Sequence, residues 1–502
     1  MLLTCVMLLV MFALPARADQ ESADESVPFN KYRKFRAYLE QKMESTNTPS
    51  ISIAVAQEAK ILYEESFGWA NREKKILATP HTIYSLASVS KPMTATAMMI
   101  LAERGLIDLN EPVNSYLGNT PLKSFEGNVS DATVTCLLHH TAGLPTIWNF
   151  YFDGAQIQRS PVSVSIEKYG ILTSSPGTRY EYSNLGYGIA EYIIECVSGK
   201  SYRQFMKSEV FEPLGMHESL VITTSAEYES IAARYLENKN ISPFYETMSR
   251  GGGGICASVH DLLRFGMFHL KNHLSDQKAI LSDNTIDTMQ FCVDPAVPDS
   301  PYKLGWDVKN MSGYRIVSHG GGMPGVSSVL MLVPSENIAI AVLSNGTYIN
   351  LYEIGYVIIA LIVPKKVETK NPNVEKEIVS EADDKFPSQR FTGQWSGEIR
   401  TDESSIPITM QINDSGKVML TLINEHETYE PIEPFCYLNG TLRGSFDVNI
   451  PTRDASVCRH KVYMNMKLTD NRLNGYAAAV SYRVEVFHLP YYITLDKQII
   501  DE

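Results

Sequence analysis

From Met93 to Leu101 almost every position is apolar or small, and a run with no polar stripe predicts a helix buried on all sides. The rest of the chain arranges itself around that element. Asn30 to Met43 is charged with periodic apolar residues, which predicts a surface helix, and Ser50–Ala56 with Ile61–Trp69 predict the two strands of a hairpin. Gly105 stops the buried helix, and Leu106–Pro112 reads as a loop entering a second helix. From Pro145 to about Leu270 the pattern is mostly helical, broken by loops. After Tyr314 the period changes to two: Arg315–Ser318, Ser327–Val333 and Ile338–Leu343 predict adjacent antiparallel strands, and Leu351–Ile362 predicts a closing helix. A glycine-rich stretch, His319–Gly325, falls between the first two of those strands. Lys365–Lys385 is charged without an apolar face and predicts a linker. Beyond Phe391 short alternating segments follow, at Ile406–Ile412, Val418–Ile423, Gly440–Val448, Lys461–Leu468 and Tyr482–Val486, and their spacing predicts an antiparallel barrel.

Composition narrows the function classes without choosing one. A chain of 502 residues requires two or more domains, and 44% hydrophobic with 20% charged residues is a globular balance. The net charge of -13 argues against nucleic acid and anionic membrane surfaces as partners. Leu2–Ala16 is apolar but shorter than the roughly 20 residues that span a bilayer. It ends in Ala16-Arg17-Ala18, so a secretory signal cleaved after Ala18, a secreted or periplasmic protein and no stable membrane insertion are expected. Cys5 leaves with that signal. The cysteines at 136, 196, 256, 292, 436 and 458 show no metal-like spacing; the first four read as buried free thiols, and a Cys436–Cys458 disulfide is left open. His139 and His140 lack the further ligands that a metal site needs and read as structural histidines, so neither metal nor organic cofactor is expected.

Candidate chemistry gathers at the head of the buried helix. Pro92 fits only the first turn of a helix, which places Ser88 at its start, beside the positive end of the helix dipole. Lys91, three residues on, shares its face. A serine, a lysine and an anion-stabilising helix end suggest a nucleophile with its base. The bare Ser-x-x-Lys pattern recurs at Ser165–Lys168, Ser275–Lys278 and Ser300–Lys303, which read as ordinary surface sequence. What sets Ser88 apart is burial, because a lysine heading an all-apolar helix must find partners or lose its charge. Gly251–Gly254 reads as a tight turn packed under the site; it lacks the Gly-Lys-Ser/Thr continuation of a phosphate loop.

Ser88-Val-Ser-Lys91, Tyr182-Ser-Asn184 and His319-Gly-Gly321, in that order, together resemble the serine β-lactamase and penicillin-binding-protein superfamily. The similarity is to its class C-like branch, with D-aminopeptidase-like and esterase-like members. Leu137–Pro145, Pro213–Met216 and Gly320–Ser328 also look like this branch, and the resemblance covers roughly residues 29 to 363. It implies an α/β (α+β) β-lactamase/transpeptidase-like catalytic domain, an antiparallel sheet flanked by helices with an all-helical subdomain, followed by a C-terminal antiparallel β-barrel that looks lipocalin-like. The implied division is a signal at 1–18, a catalytic domain at 27–364, a linker at 365–385 and the barrel at 386–498. Carried over residue by residue, the resemblance makes Ser88 the nucleophile, with Lys91 and Tyr182 handling its proton. Asn184, His319 and Gly321 bind substrate, and the backbone amides of Ser88 and Gly322 form the oxyanion hole.

Where many β-lactamases carry lysine, this chain has His319, largely neutral at pH 7, so carboxylate recognition and broad β-lactam resistance are weakened. The resulting expectation is a serine hydrolase of small amides or esters, foremost short peptides including D-residue peptides. Carboxylesterase, weak β-lactamase or penicillin-binding carboxypeptidase activity stands as the alternative, and a non-catalytic ligand-binding or scaffold protein is the alternative of another class. A homo-oligomer is left open. The barrel carries no second nucleophile and base, so the chemistry is expected within residues 29 to 363, with the barrel limiting what reaches it.

Overall fold

In the computed structural model, residues 29–363 and 389–498 are described, apart from positions 238, 295, 296, 299, 312, 348, 424–426, 439 and 483–485. The signal segment and the linker expected from the sequence lie outside the described residues.

A seven-stranded antiparallel sheet runs in the order 307–311, 314–323, 326–333, 338–344, 50–57, 60–71 and 76–77. Side chains on a strand alternate between faces, and both faces of this sheet are covered. Ile51, Ile53 and Val55 pack with Leu39 and Ile354 from the helices Phe29–Thr46 and Leu351–Ile362. Ala54 and Ala56 face the other way, into the cluster that holds Met98, Leu262 and Leu263 of the helices Ser90–Glu103 and Val259–His269. This explains why Ile338–Ser344 is buried along its whole length. The helix Ser90–Glu103 is buried from Ser90 to Leu101, and it sits against the helix Asn184–Ser198 and the short helix Arg250–Gly253.

Three local expectations are corrected. The glycine-rich stretch is not a connection between strands: the strand Tyr314–Met323 runs through it, because Gly320, Gly321 and Gly322 pair with Val329, Ser328 and Ser327. The turn falls at Pro324–Gly325, where Gly325 takes a positive φ of 73°. The segment after Leu106 forms only a single turn, Val113–Tyr116, rather than a full helix. Within the region read as helical, Trp148–Phe152, Tyr245–Thr247 and Ile255–Ala257 are strands, recruited by partners distant in sequence.

The C-terminal sheet is ordered 427–429, 418–422, 405–412, 393–400, 486–497, 472–482, 461–469, 441–446 and 431–438. Its two end strands, Glu427–Tyr429 and Pro431–Leu438, are consecutive in the chain, so the sheet curls into a nearly closed barrel. Trp395, Ile408, Met410, Leu420 and Met464 are fully buried and fill its interior. Of the expected strand Tyr482–Val486, positions 483–485 lie outside the described residues. Tyr482 ends the strand Arg472–Tyr482, and Val486 begins the strand Val486–Lys497.

The barrel is bonded to the first domain. Val486, Phe487 and His488 pair with Phe150, Asn149 and Trp148, and Lys168 Nζ lies 2.8 Å from Asp454 Oδ2. Cys136, Cys196, Cys256, Cys292, Cys436 and Cys458 are all free, so no disulfide joins Cys436 to Cys458; of the first four only Cys256 is buried as expected, Cys196 being exposed and Cys136 and Cys292 partly so. Among the described residues no helix is long and apolar enough to cross a membrane.

Candidate active site

Ser88 lies in the tight turn Ala87–Val89, which runs directly into the helix Ser90–Glu103. Ala87 just before it adopts φ +46°, a strained conformation for a residue with a Cβ. The turn presents Ser88 at the helix start while Lys91 points back beneath it. Lys91 is completely buried; its Nζ donates to Asn184 Oδ1 at 2.7 Å and to Gly252 O at 2.8 Å, and it lies 3.1 Å from Ser88 Oγ. Among the described residues no carboxylate pairs with it, and burial holds its pKa well below the usual lysine value. The rings of Tyr182 and Tyr187 lie 4.7 and 5.7 Å from Nζ.

Tyr182 and Asn184 are set by the loop that enters the helix Asn184–Ser198. Thr146 Oγ1 lies 3.0 Å from Tyr182 O, Asn184 Nδ2 donates to Ile147 O at 3.0 Å, and Ser183 N donates to His140 Nδ1. Burial raises the Tyr182 phenol above its ordinary value, against the opposing effect of a hydrogen bond with Ser88. Burial therefore drives the lysine and the tyrosine both toward their neutral forms.

The strand Tyr314–Met323 brings the remaining candidates to the same turn. A Cβ on Gly321 would lie 2.3 Å from both Leu86 O and Ser328 Oγ and 3.0 Å from Ser88 N, so only glycine allows the strand this close. Gly322 is exposed, and nothing lies within 4 Å of where its Cβ would be. His319 is buried; its Nδ1 donates to Gly320 O at 2.7 Å, which leaves Nε2 to accept from Tyr302 Oη at 3.0 Å. Burial, helped by the Lys91 charge, pushes its pKa down to about 3, so its neutrality is far firmer than the ordinary value near 6.5 implies.

All seven residues singled out from the sequence, Ser88, Lys91, Tyr182, Asn184, His319, Gly321 and Gly322, come to one cleft. The three other Ser-x-x-Lys pairs do not. Ser165 and Ser300 are buried rather than on the surface, Lys168 pairs with Asp454, and Lys303 Nζ donates to Ser300 O. Sequence reasoning did not find Tyr302, Tyr187 or the carbonyl role of Gly252, although the glycine run at 251–254 had been placed beneath the site. His140, read as structural, has its ring 4.3 Å from Tyr182 and 4.6 Å from Tyr302.

The cleft opens into two large cavities, beside a small one of about 50 Å³ that Ser88, Asn184, Gly252 and Gly322 help to line. One, of about 680 Å³, is lined by Tyr182, His319, Tyr302, Asp307 and Tyr352 among others. The other, of about 1240 Å³, is lined by Ser88, Asn184, Gly322 and Trp148 among others. No group of three or more His, Cys, Asp or Glu side chains among the described residues is placed to hold a metal ion.

Residues 35–360 match the beta-lactamase protein family. The chain belongs to that family, a family of serine hydrolases. It is 26% identical to the unguisins hydrolase ungD' of Aspergillus campestris over 355 residues, covering 66% of this chain and 65% of that protein. To penicillin-binding protein 4* of Bacillus subtilis it is 28% identical over 333 residues, 60% of this chain and 69% of the relative. The chain thus spans about two thirds of these relatives. The fold matches the octameric penicillin-binding protein homologue from Pyrococcus abyssi with a TM-score of 0.59 at 24% identity, over 91% of this chain and 99% of that one. A class C beta-lactamase matches with a TM-score of 0.57 at 18% identity, over 68% and 99%.

Proposed function

We propose that the protein is an acyl-enzyme hydrolase of small amides or esters, with Ser88 as nucleophile and Lys91 as its base. The observation that carries this reading is the triple contact of the buried Lys91 Nζ with Asn184 Oδ1, Gly252 O and Ser88 Oγ. A neutral amine has two N–H bonds and one lone pair. The two shorter contacts take the N–H bonds, and the lone pair is left facing the Ser88 hydroxyl, which is the geometry of a general base.

Ser88 Oγ then attacks the substrate carbonyl carbon while its proton moves to Lys91. The negative charge that develops on the carbonyl oxygen is held by the backbone N–H groups of Ser88 and Gly322. As the bond to the leaving group breaks, the leaving nitrogen or oxygen takes a proton from the Tyr182 phenol, which recovers one from Lys91. Water, activated by the same pair, attacks the ester on Ser88 and releases the acid.

Substrates are neutral short peptides, including D-residue peptides, or esters. The reason is His319: with its pKa near 3 it offers no positive charge to a substrate carboxylate. The names of the relatives, a hydrolase and a penicillin-binding protein, agree with this class of chemistry. The apolar run Leu2–Ala16 adds the proposal that the protein acts outside the cytoplasm. A panel of D- and L-peptides, short esters and a chromogenic cephalosporin, run with wild type and Ser88→Ala, tests the reading. Turnover of a neutral amide or ester that vanishes in the variant is expected. Turnover of none of the panel, or equal turnover by both proteins, would exclude it.

A further inference from the structure

We infer that the barrel supplies one wall of the substrate site, making the larger cavity an apolar pocket for the acyl group. This inference rests on the hydrolase reading above. The cavity of about 1240 Å³ extends from Ser88, Asn184 and Gly322 to Tyr482 and Val486, the last residue of one barrel strand and the first of the next. Ser88 lines this cavity and a small adjoining one of about 50 Å³, which is too small for an acyl chain, but not the one of about 680 Å³. The acyl group stays on Ser88 after the first step, so this is the cavity that receives it.

The wall is fixed rather than loosely apposed. Antiparallel pairing joins Val486–His488 to Trp148–Phe150, directly after Ile147, whose carbonyl takes the Asn184 amide. On the other flank, Tyr476 Oη of the barrel donates to Glu181 Oε1 at 3.1 Å, and the same oxygen accepts from Thr146 Oγ1 at 2.6 Å. Both sides of the segment that carries Tyr182 and Asn184 are therefore held by the barrel.

The lining defines the ligand chemistry. Trp148 lies 6.3 Å from Tyr482 between ring centroids, and Phe150, Phe152 and Met323 add apolar surface. Tyr482 remains 65% exposed on the wall of the cavity that Ser88 also lines, an aromatic surface that a bound apolar group would cover. The charged side chains among the described lining residues are Asp153 and Glu237, both acidic. An aromatic or medium-chain aliphatic acyl group without a negative charge fits these walls.

The test keeps the leaving group constant and varies the acyl group: 4-nitrophenyl acetate, octanoate and phenylacetate are hydrolysed by the full chain and its variants. The readout is the ratio of kcat/KM for the long or aromatic ester to that for acetate. Tyr482→Ser, at an exposed position where refolding is not at issue, should lower that ratio about tenfold, which corresponds to about 1.4 kcal/mol. Tyr482→Glu should lower it further, most of all for octanoate. Ile432→Ser, half-exposed on another barrel strand, should leave the ratio as in wild type. A ratio unchanged within twofold in both Tyr482 variants would overturn the inference, as would an effect that follows the leaving group at constant acetyl. If the wild type hydrolyses none of the esters and Ser88 takes up no acyl group, the hydrolase reading itself fails and this inference falls with it.

Discussion

Substituting Gly321 by alanine probes the closest approach in the site. The added Cβ would lie 2.3 Å from Leu86 O and 2.3 Å from Ser328 Oγ, whereas ordinary contact begins near 3.4 Å. Neither neighbour can yield easily. Leu86 O is backbone in the residue before the turn Ala87–Val89, and Ser328 Oγ is pinned by donating to that same carbonyl at 2.5 Å. Relief has to come from the strand Tyr314–Met323 retreating from the turn by about 1 Å, which widens the gap between the amides of Ser88 and Gly322; a misplacement of that size removes about 100-fold in rate. The overpacking itself costs about 1–3 kcal/mol of stability. Gly322→Ala is the internal comparison: it lies one residue further on the same strand, keeps its N–H and meets nothing within 4 Å, so its kcat/KM should stay within about threefold of wild type. Ester hydrolysis and urea unfolding of the three proteins decide the matter. Gly321→Ala with kcat/KM within threefold of wild type and an unchanged unfolding midpoint would refute the close-approach argument.

Because burial lowers the Lys91 pKa, the neutral amine accumulates as pH rises through that lowered value, and kcat/KM should rise with it. Lys91→Arg, which cannot deprotonate, should lose about 1000-fold at every pH, and a variant that regains activity at high pH would contradict the base assignment. His319 has a folded pKa of about 3 against about 6.5 unfolded, so between those values the unfolded chain binds more protons and stability falls as pH falls. His319→Gln should flatten the acid side of the stability profile by as much as about 1.4 kcal/mol per pH unit in that window, and an unaltered slope in urea titrations would show that His319 titrates normally. A chain ending after residue 384 loses the strand that pairs with Trp148–Phe150, and it should melt earlier and hydrolyse esters at least about tenfold more slowly; full activity on a small ester would mean that the barrel does not support the site.

Ser88 and Lys91 were legible in the sequence because an all-apolar helix leaves its one lysine no exposed face, and the pattern Tyr182-Ser-Asn184 supplied the partners. Periodicity also located the hairpin 50–71, the strands beyond 326 and the closing helix 351–362, since each buries a face with a fixed period. Tyr302 was not legible, because its place beside His319 is set by tertiary packing and no local pattern marks it. The strand character of His319–Met323 was hidden for the opposite reason: glycines carry no side-chain period, and their pairing depends on Ser327–Val329 across the ladder. The same holds for the docking of the barrel. Trp148–Phe150 and Val486–His488 are more than three hundred positions apart, and neither shows in its own composition that it pairs with the other.

The central claim is that Ser88 carries a covalent acyl group. Intact-mass analysis of the full chain after reaction with a fluorophosphonate should show a single adduct that peptide mapping places on Ser88 and that Ser88→Ala abolishes. An adduct on Ser165, Ser275 or Ser300, or one that persists in Ser88→Ala, would contradict the account.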